Sequence, residues 1–326
     1  MPLSSPSVAL TKQPHQPPDL IDEDKNDSSK PSRPDAIRAK QFYNDQDSQT
    51  FYRHIWGTET IHVGRYDLLT DVEKATLNRQ QQIVRAQEHH ETEYVKLILS
   101  KFGDSETFHD GTHTQIRVAD FGCGYGGLLR RMWKAGIVST AVGVDITPRM
   151  CQHAHELNIE YGCDDVIDIK EESFLETSIP DTSVDLVVSM EALLHVGPQG
   201  QQKTVHEASR ILKKGGWMIF NDVMQQPDVD KDEMQPIYDR ICLSEMGTLS
   251  GYKAIFQEAG FANFEFLPYS SNVAAHYGAV LEVLKEKGDE LGLSKEFQES
   301  MQQGLRYWVD LAPKNILWGF LLAQKQ

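Results

Sequence analysis

Arg117-Val-Ala-Asp-Phe-Gly-Cys-Gly-Tyr-Gly-Gly127 is the stretch that decides the fold. Arg117 to Phe121 carries the apolar run of a short buried strand. Gly122, Gly124 and Gly126 follow at alternate positions, and Leu128 to Trp133 opens an amphipathic helix. The reading is strand, glycine turn, helix. Glycine suits a tight turn in which a ligand approaches bare backbone. Asp120, at the end of the strand, would repel a pyrophosphate and suits a ligand carrying a cationic amine. The segment lacks the Gly-Lys-Ser/Thr of a phosphate loop and the G-x-G-x-x-G spacing of dinucleotide folds.

Outward from this turn the chain keeps a regular rhythm. The helix from Leu128 to Ala135 stops at Gly136, and Thr140 to Ile146 reads as a buried strand ending in an acid. Pro148 starts a helix to about Tyr161. Val166 to Ile169 is a third strand, Val184 to Glu191 a fourth, and Trp217 to Asp222 a fifth. A helix from Gln201 to Leu212, with a Gly215-Gly216 stop, separates the last two. Strands alternating with helices predict a parallel sheet covered on both faces. Asp228 to Met246 reads as a helical insertion. Ser250 to Ala259, Val273 to Lys287 and Lys295 to Leu311 read as helices, and Phe264 to Pro268 and Ile316 to Leu322 as strands.

In a doubly wound sheet the ligand lies across the carboxyl ends of the strands. Asp120 and Gly122, Gly124 and Gly126 follow the first strand. Asp145, beside Ile146 and about 20 residues past the glycines, is placed to hold ribose hydroxyls. Glu171, Glu172 and Ser173 follow the third strand, near an adenine amino group, with Phe174 to flank the ring. Met190 and Glu191 follow the fourth.

Upstream, residues 1–36 are rich in Pro, Ser, Asp and Lys and read as a disordered tail. Ala39, Phe42 and Tyr43 begin a helix. Phe51-Tyr-Arg-His-Ile-Trp-Gly57 and Ile61-His-Val-Gly-Arg-Tyr66 concentrate aromatic residues that either close over a ligand or pack the N-terminal helix onto the core. Leu68 to Leu99 reads as one or two helices, and Gly103 to Thr114 as a polar loop.

The chain has 326 residues and a net charge of −16, which argues against nucleic-acid or anionic-membrane partners and fits a small ligand. Cys123, Cys151, Cys163 and Cys242 have neither metal nor disulfide-framework spacing, so a reducing, cytoplasmic compartment and no metal are expected. No apolar run reaches membrane-spanning length, and neither end carries a leader or lipidation motif.

Asp120-x-Gly-x-Gly-x-Gly126 is the signature of class I S-adenosylmethionine (SAM) methyltransferases. With it, Phe51-Tyr-x-x-Ile-Trp-Gly57, Ile61-His-Val-Gly64, Glu191-Ala-Leu-Leu-His195, Asp222-x-Met-Gln225, Met246-Gly-Thr248, Gly251-Tyr252, His276-Tyr277, Trp308 and Trp318-Gly319 resemble sarcosine/dimethylglycine N-methyltransferases. The likeness runs from about residue 40 to 324. A more distant one is to phosphoethanolamine methyltransferases. The chain departs from the family with Glu191 where Asp is usual, with Gln226-Pro227, and with Arg65 in place of an apolar residue.

The resemblance implies an α/β fold: a Rossmann-like seven-stranded, mostly parallel sheet with an antiparallel seventh strand and a helical cap. It divides residues 37–326 into an N-terminal cap (37–115), a cofactor core (116–222), substrate cap elements with the sixth strand (223–312) and a last strand (313–326). It implies that Tyr52 and His195 latch over the transferred methyl group, and that Trp56, His62, Val63 and Gly64 contact SAM. It also implies that Met224, Gln225, Tyr252, His276 and Tyr277 face the substrate. Arg53, Arg65 and Lys253 are the cations considered for a substrate carboxylate. The expected reaction is SAM-dependent methylation of a small amine or amino acid, leaving S-adenosylhomocysteine (SAH). S- or O-methylation of a small acid, a non-catalytic partner subunit and a nicotinamide-linked oxidoreductase stay open as alternatives. A monomer or homodimer is expected.

Overall fold

The computed structural model describes residues 45–57, 59–102, 115–241, 243 and 245–326. The expected tail, the helix start at Ala39, the 103–114 loop and Cys242 lie outside the described residues.

The glycine stretch forms the centre of the sheet. β1 (Ile116–Phe121) pairs in parallel with β2 (Val138–Asp145) on one side and β4 (Val184–Met190) on the other. β3 (Ile167–Glu171) joins β2, and β5 (Leu212–Gln225) joins β4, all parallel. β7 (Ile316–Lys325) runs antiparallel between β5 and β6 (Phe261–Pro268). The seven strands stand in the order β3-β2-β1-β4-β5-β7-β6. This is the Rossmann-like methyltransferase sheet, with the seventh strand inserted antiparallel as the sequence suggests.

The central strands β1, β4 and β7 are buried almost throughout because both faces of the sheet are covered there. Successive side chains still go to opposite layers. Val118, Leu186, Ile219 and Leu322 pack into one cluster with Tyr94 and Ile98 of α3 (Arg79–Phe102) and Leu128 of α4 (Gly127–Lys134). Their neighbours Ala119, Val187, Met218 and Leu321 pack into the other, with Val205 of α6 (Gly197–Ile211) and Phe256 of α8 (Leu249–Glu258).

The cap is built from both ends of the chain. α1 (Gln46–Phe51) continues into a wide turn at Tyr52–Trp56, and α2 (Asp71–Thr76) precedes α3. α7 (Lys231–Arg240), α9 (Ser271–Lys287) and α10 (Lys295–Asn315) supply the rest, while α5 (Pro148–Tyr161) crosses from β2 to β3. Phe51, Tyr52, Ile55 and Trp56 pack with Val280, Met301 and Leu305, so the aromatic N-terminal segment is held by the two C-terminal helices.

Several element ends differ from expectation by a few residues, and two segments differ by more. Gly215-Gly216 lies within β5, because Leu212 already pairs with Val184 before the register shifts. Gly215 has φ +81°, and a Cβ on Gly216 would lie 2.9 Å from the Asp185 carbonyl oxygen, so the pair makes room for a bulge rather than ending the helix. Among the described residues of the 228–246 insertion, Lys231–Arg240 alone is helical. No helix among the described residues is long and apolar enough to cross a membrane.

Candidate active site

A cavity of about 100 Å³ opens at the carboxyl ends of β1, β2 and β4. Its walls include Gly122, Gly124, Asp145, Ile146, Phe174, Met190, Glu191 and His195, brought from four separate segments. Ile61, Thr147, Met150 and Ala192 complete it, and sequence reasoning did not single these out. Ile61 stood within the quoted Ile-His-Val-Gly run, so the right segment was visible but not the right side chain.

The glycine turn has left-handed backbone at Gly122 (φ +74°), Gly124 (+53°) and Gly126 (+75°), where side chains are strained. A Cβ on Gly122 would lie 2.3 Å from Ala192 Cβ, so this glycine lets the β4 loop close down. A Cβ on Gly124 would meet no protein atom within 4 Å, so the turn offers bare backbone to open space. Asp145 fixes the turn by accepting the Gly124 N–H at 3.0 Å and the Thr147 N–H at 2.8 Å.

Asp120 lies beneath this turn. Burial and then the charge of Asp145 push its carboxyl up to about 8. Burial also raises Asp145, although the hydrogen bonds from Thr147 and Gly124 oppose the rise. At neutral pH Asp120 therefore keeps its proton beside Asp145, and a cationic group placed against it would favour the charged form.

Glu191 ends β4 with φ +53°. Its carboxylate accepts the Val63 N–H at 3.0 Å, the Trp318 indole N–H at 2.8 Å and the Asn221 amide at 3.1 Å. It therefore ties the cap segment at residue 63 to β5 and β7. His195 sits on the next turn (Leu193–Val196), which is held by Leu194 N–H donating to Asp222 at 3.2 Å. Tyr252 donates to the other Asp222 oxygen at 2.5 Å, and burial pushes Asp222 up to about 7. Burial, helped by the charge of Arg240, pulls His195 down to about 4, so its imidazole is neutral at physiological pH.

Other expected contacts are spent elsewhere. The His62 ring bonds Glu91 at 3.3 Å and its neighbour's carbonyl, Val63 O, at 3.0 Å, turned from the cavity. Burial opposes its charge, but Glu91 and Glu191 outweigh that and raise its pKa. Gly64 packs on α3, where a Cβ would come within 2.6 Å of Ala86 Cβ, and its N–H donates to His276 Nδ1 at 3.2 Å. Val63 reaches the site through its backbone alone. Glu172 accepts from the Ser178 N–H and hydroxyl at 2.8 and 2.6 Å, and the Ser173 hydroxyl oxygen accepts the Leu175 N–H at 3.3 Å, so both serve their own loop.

Met224 and Tyr252 belong to the core under β5, and Gln225 is held by Tyr238 at 2.7 Å and the Met246 N–H at 3.2 Å. These three buried residues support the site from behind rather than line the cavity. Trp56 and Tyr277 meet edge to face at 5.1 Å in the cap, with Tyr52 5.5 Å from Trp56 and His276 at 4.9 Å. Tyr277 stacks on Trp308 at 4.7 Å. Arg53 is exposed, and its charge acts on Tyr125 and His153.

Residues 119–220 match the methyltransferase domain family. A sarcosine/dimethylglycine N-methyltransferase of Halorhodospira halochloris is 31% identical over 295 residues, 88% of this chain and 95% of that protein. A dimethylglycine N-methyltransferase of Parasynechococcus marenigrum (strain WH8102) is 30% identical over 292 residues, 88% of this chain and 95% of that protein. A solved structure of a candidate sarcosine dimethylglycine methyltransferase from Galdieria sulphuraria superimposes with TM-score 0.74 at 31% identity, covering 86% of this chain and 99% of that one.

Fold, turn and buried acids together define a SAM-dependent methyltransferase that acts on a small molecule. The chain belongs to the sarcosine/dimethylglycine N-methyltransferase family. Its residues fit the cofactor. Asp120 offers a buried carboxylate to an ammonium group, and Gly124 leaves backbone open where a ligand passes.

Proposed function

We propose that the enzyme methylates the amine nitrogen of sarcosine or dimethylglycine. The observation carrying this reading is the pair of relatives, named for those acceptors, that match over nearly their whole length. SAM, when bound, supplies a methyl group on a positively charged sulfur. Asp120 would pair with its amino group, Asp145 would take the ribose hydroxyls, and Phe174 would flank the adenine.

The transfer is a displacement, so the protein's work is orientation, exclusion of water and tolerance of moving positive charge. The aromatic cap supplies all three, and its ring faces attract a quaternary ammonium product. His195, being neutral, adds no repulsion beside the cationic centre. Dimethylglycine needs only its free amine. Sarcosine must also lose a proton, and a weakly basic imidazole passes that proton on rather than storing it. Tyr52 would meet His195 when the cap closes over the reactants. We read residues 37–326 as one catalytic domain, cytoplasmic, monomeric or homodimeric, with no nucleic-acid partner. Labelled SAM assayed against amine, thioether and hydroxy-acid panels tests the reading. Methyl transfer confined to thioethers or hydroxy acids would overturn it.

A further inference from the structure

An acceptor amino acid carries a carboxylate as well as the reacting nitrogen, and the cations considered from sequence do not serve it. Arg65 is bound to Asp67 through two bonds of 2.7 and 2.8 Å and lies 3.6 Å over the Tyr269 ring. Lys253 is exposed on α8.

Arg240, at the end of α7, is differently placed. Its stem crosses α10 at Gly304, where any Cβ would come within 2.6 Å of Arg240 Cδ. Beyond that crossing its Nη2 lies 2.7 Å from the sulfur of Met301. Met301 is buried in the same cluster as Tyr52 and Trp56. The guanidinium thus reaches inward to the aromatic cap, near enough for its charge to act on both His195 and Tyr277. On its outer side Arg240 borders a second cavity, of about 410 Å³, between α7 and α10.

Trp56 supplies an independent sign of a ligand. Its side chain is 5% exposed, yet its indole N–H has no hydrogen-bond partner among the described residues. Buried donors are rarely left so, because the lost hydration is not recovered. Its ring stands 5.1 Å from Tyr277, the side chain on which Arg240 also acts.

We propose that Arg240 and the Trp56 indole N–H form the subsite for the carboxylate of the methyl acceptor. The inference rests on the amino-acid reading of the acceptor given above. A planar guanidinium takes a carboxylate through two parallel bonds, and the indole N–H adds a third donor. Gly304 is then the residue that lets Arg240 reach the cap.

The test is calorimetric titration of the SAH-loaded enzyme with dimethylglycine and with 2-dimethylaminoethanol, which lacks the carboxylate. Parent, Arg240→Gln, Trp56→Phe and Gly304→Val are compared, with SAH affinity measured alongside to report an intact fold. We expect each variant to weaken dimethylglycine binding by about ten-fold or more, as loss of a charged or buried hydrogen bond does. SAH binding in Arg240→Gln and Gly304→Val, and binding of the amino alcohol, should change less than about two-fold. Unchanged dimethylglycine binding in Arg240→Gln or Trp56→Phe overturns the subsite, and so does an equal loss for both ligands. A parent enzyme that binds neither dimethylglycine nor sarcosine overturns the acceptor reading itself and the subsite with it.

Discussion

Asp120 and Asp145 stand at the ends of neighbouring parallel strands, both buried, and the charge of Asp145 helps burial to push Asp120 up to about 8. An ammonium group placed against Asp120 would favour its charged form. Cofactor binding should therefore release a proton at neutral pH, and SAM affinity should rise as pH approaches 8. Calorimetry in buffers of different ionisation enthalpy measures that proton directly. Asp120→Asn should abolish the release and weaken SAM roughly ten- to a hundred-fold. An unaltered proton count in the variant would remove Asp120 from the cofactor site.

The same shifts set the stability of the ligand-free protein. Asp120 and Asp222 hold protons in the fold that the unfolded chain has already lost, so stability falls as pH rises from the ordinary carboxylate value toward 7 or 8. His195 and His276 are pulled down to about 4 and about 3, so the unfolded chain binds more protons there and stability rises with pH until their ordinary value near 6.5. Above about 6.5 these carboxylates, and His62 with its raised pKa, all lower stability as pH rises. Melting temperature should fall between pH 6.5 and 8, and Asp120→Asn should flatten that slope. A melting temperature rising through this interval would contradict the assignment.

Asp145 has two tasks, the turn and the ribose. Asp145→Ala would leave the Gly124 and Thr147 N–H groups without their acceptor as well as the ribose hydroxyls. We expect about ten- to a hundred-fold weaker SAM binding. Equal affinity in fluorescence titration would show that the ribose is held elsewhere.

Tyr52 and His195 come from separate segments and are expected to act together when the site is closed. Tyr52→Phe and His195→Ala should each slow single-turnover transfer by at least about ten-fold, with smaller effects on SAM affinity. The double variant should be little worse than the slower single. Effects that add in the logarithm would mean independent roles.

Glu191→Gln replaces an acceptor of three bonds by a side chain whose amide must face donors. Leaving such groups unsatisfied costs about 1–3 kcal/mol, read as a lower melting temperature together with a raised KM for SAM. Glu191→Asp, which keeps the carboxylate on a shorter stem, should recover part of both. No change in either measurement would mean that Val63 is positioned by its other contacts.

The sheet was legible because its signals are local. Gly122 to Gly126 mark the first turn through backbone conformation, and the strands β1 to β5 announce themselves as apolar runs between helices. The cap was less so. His62, Gly64, Met224, Gln225 and Tyr252 were singled out for ligands, and in the fold they bond or pack against partners as distant as Glu91, Ala86, Phe220 and Tyr238. Spacing along a chain does not say which way a side chain turns. Arg240 escaped notice because nothing near it in sequence forms a motif, and its meaning comes from Gly304 and Met301 on another helix.

The three bonds at Glu191 also bear on how the enzyme is made. Val63 lies 128 residues before Glu191 and Trp318 127 residues after it. A chain emerging from the ribosome N-terminus first therefore holds one strand of this knot long before the other exists. β7 sits between β5 and β6, so both must remain open edges until residues 316–325 have been made. Until then the wall at residues 61–64 lacks its final anchor. The enzyme should acquire cofactor affinity late in biogenesis, and nascent chains halted before residue 316 should retain an exposed β5 edge prone to wrong pairing.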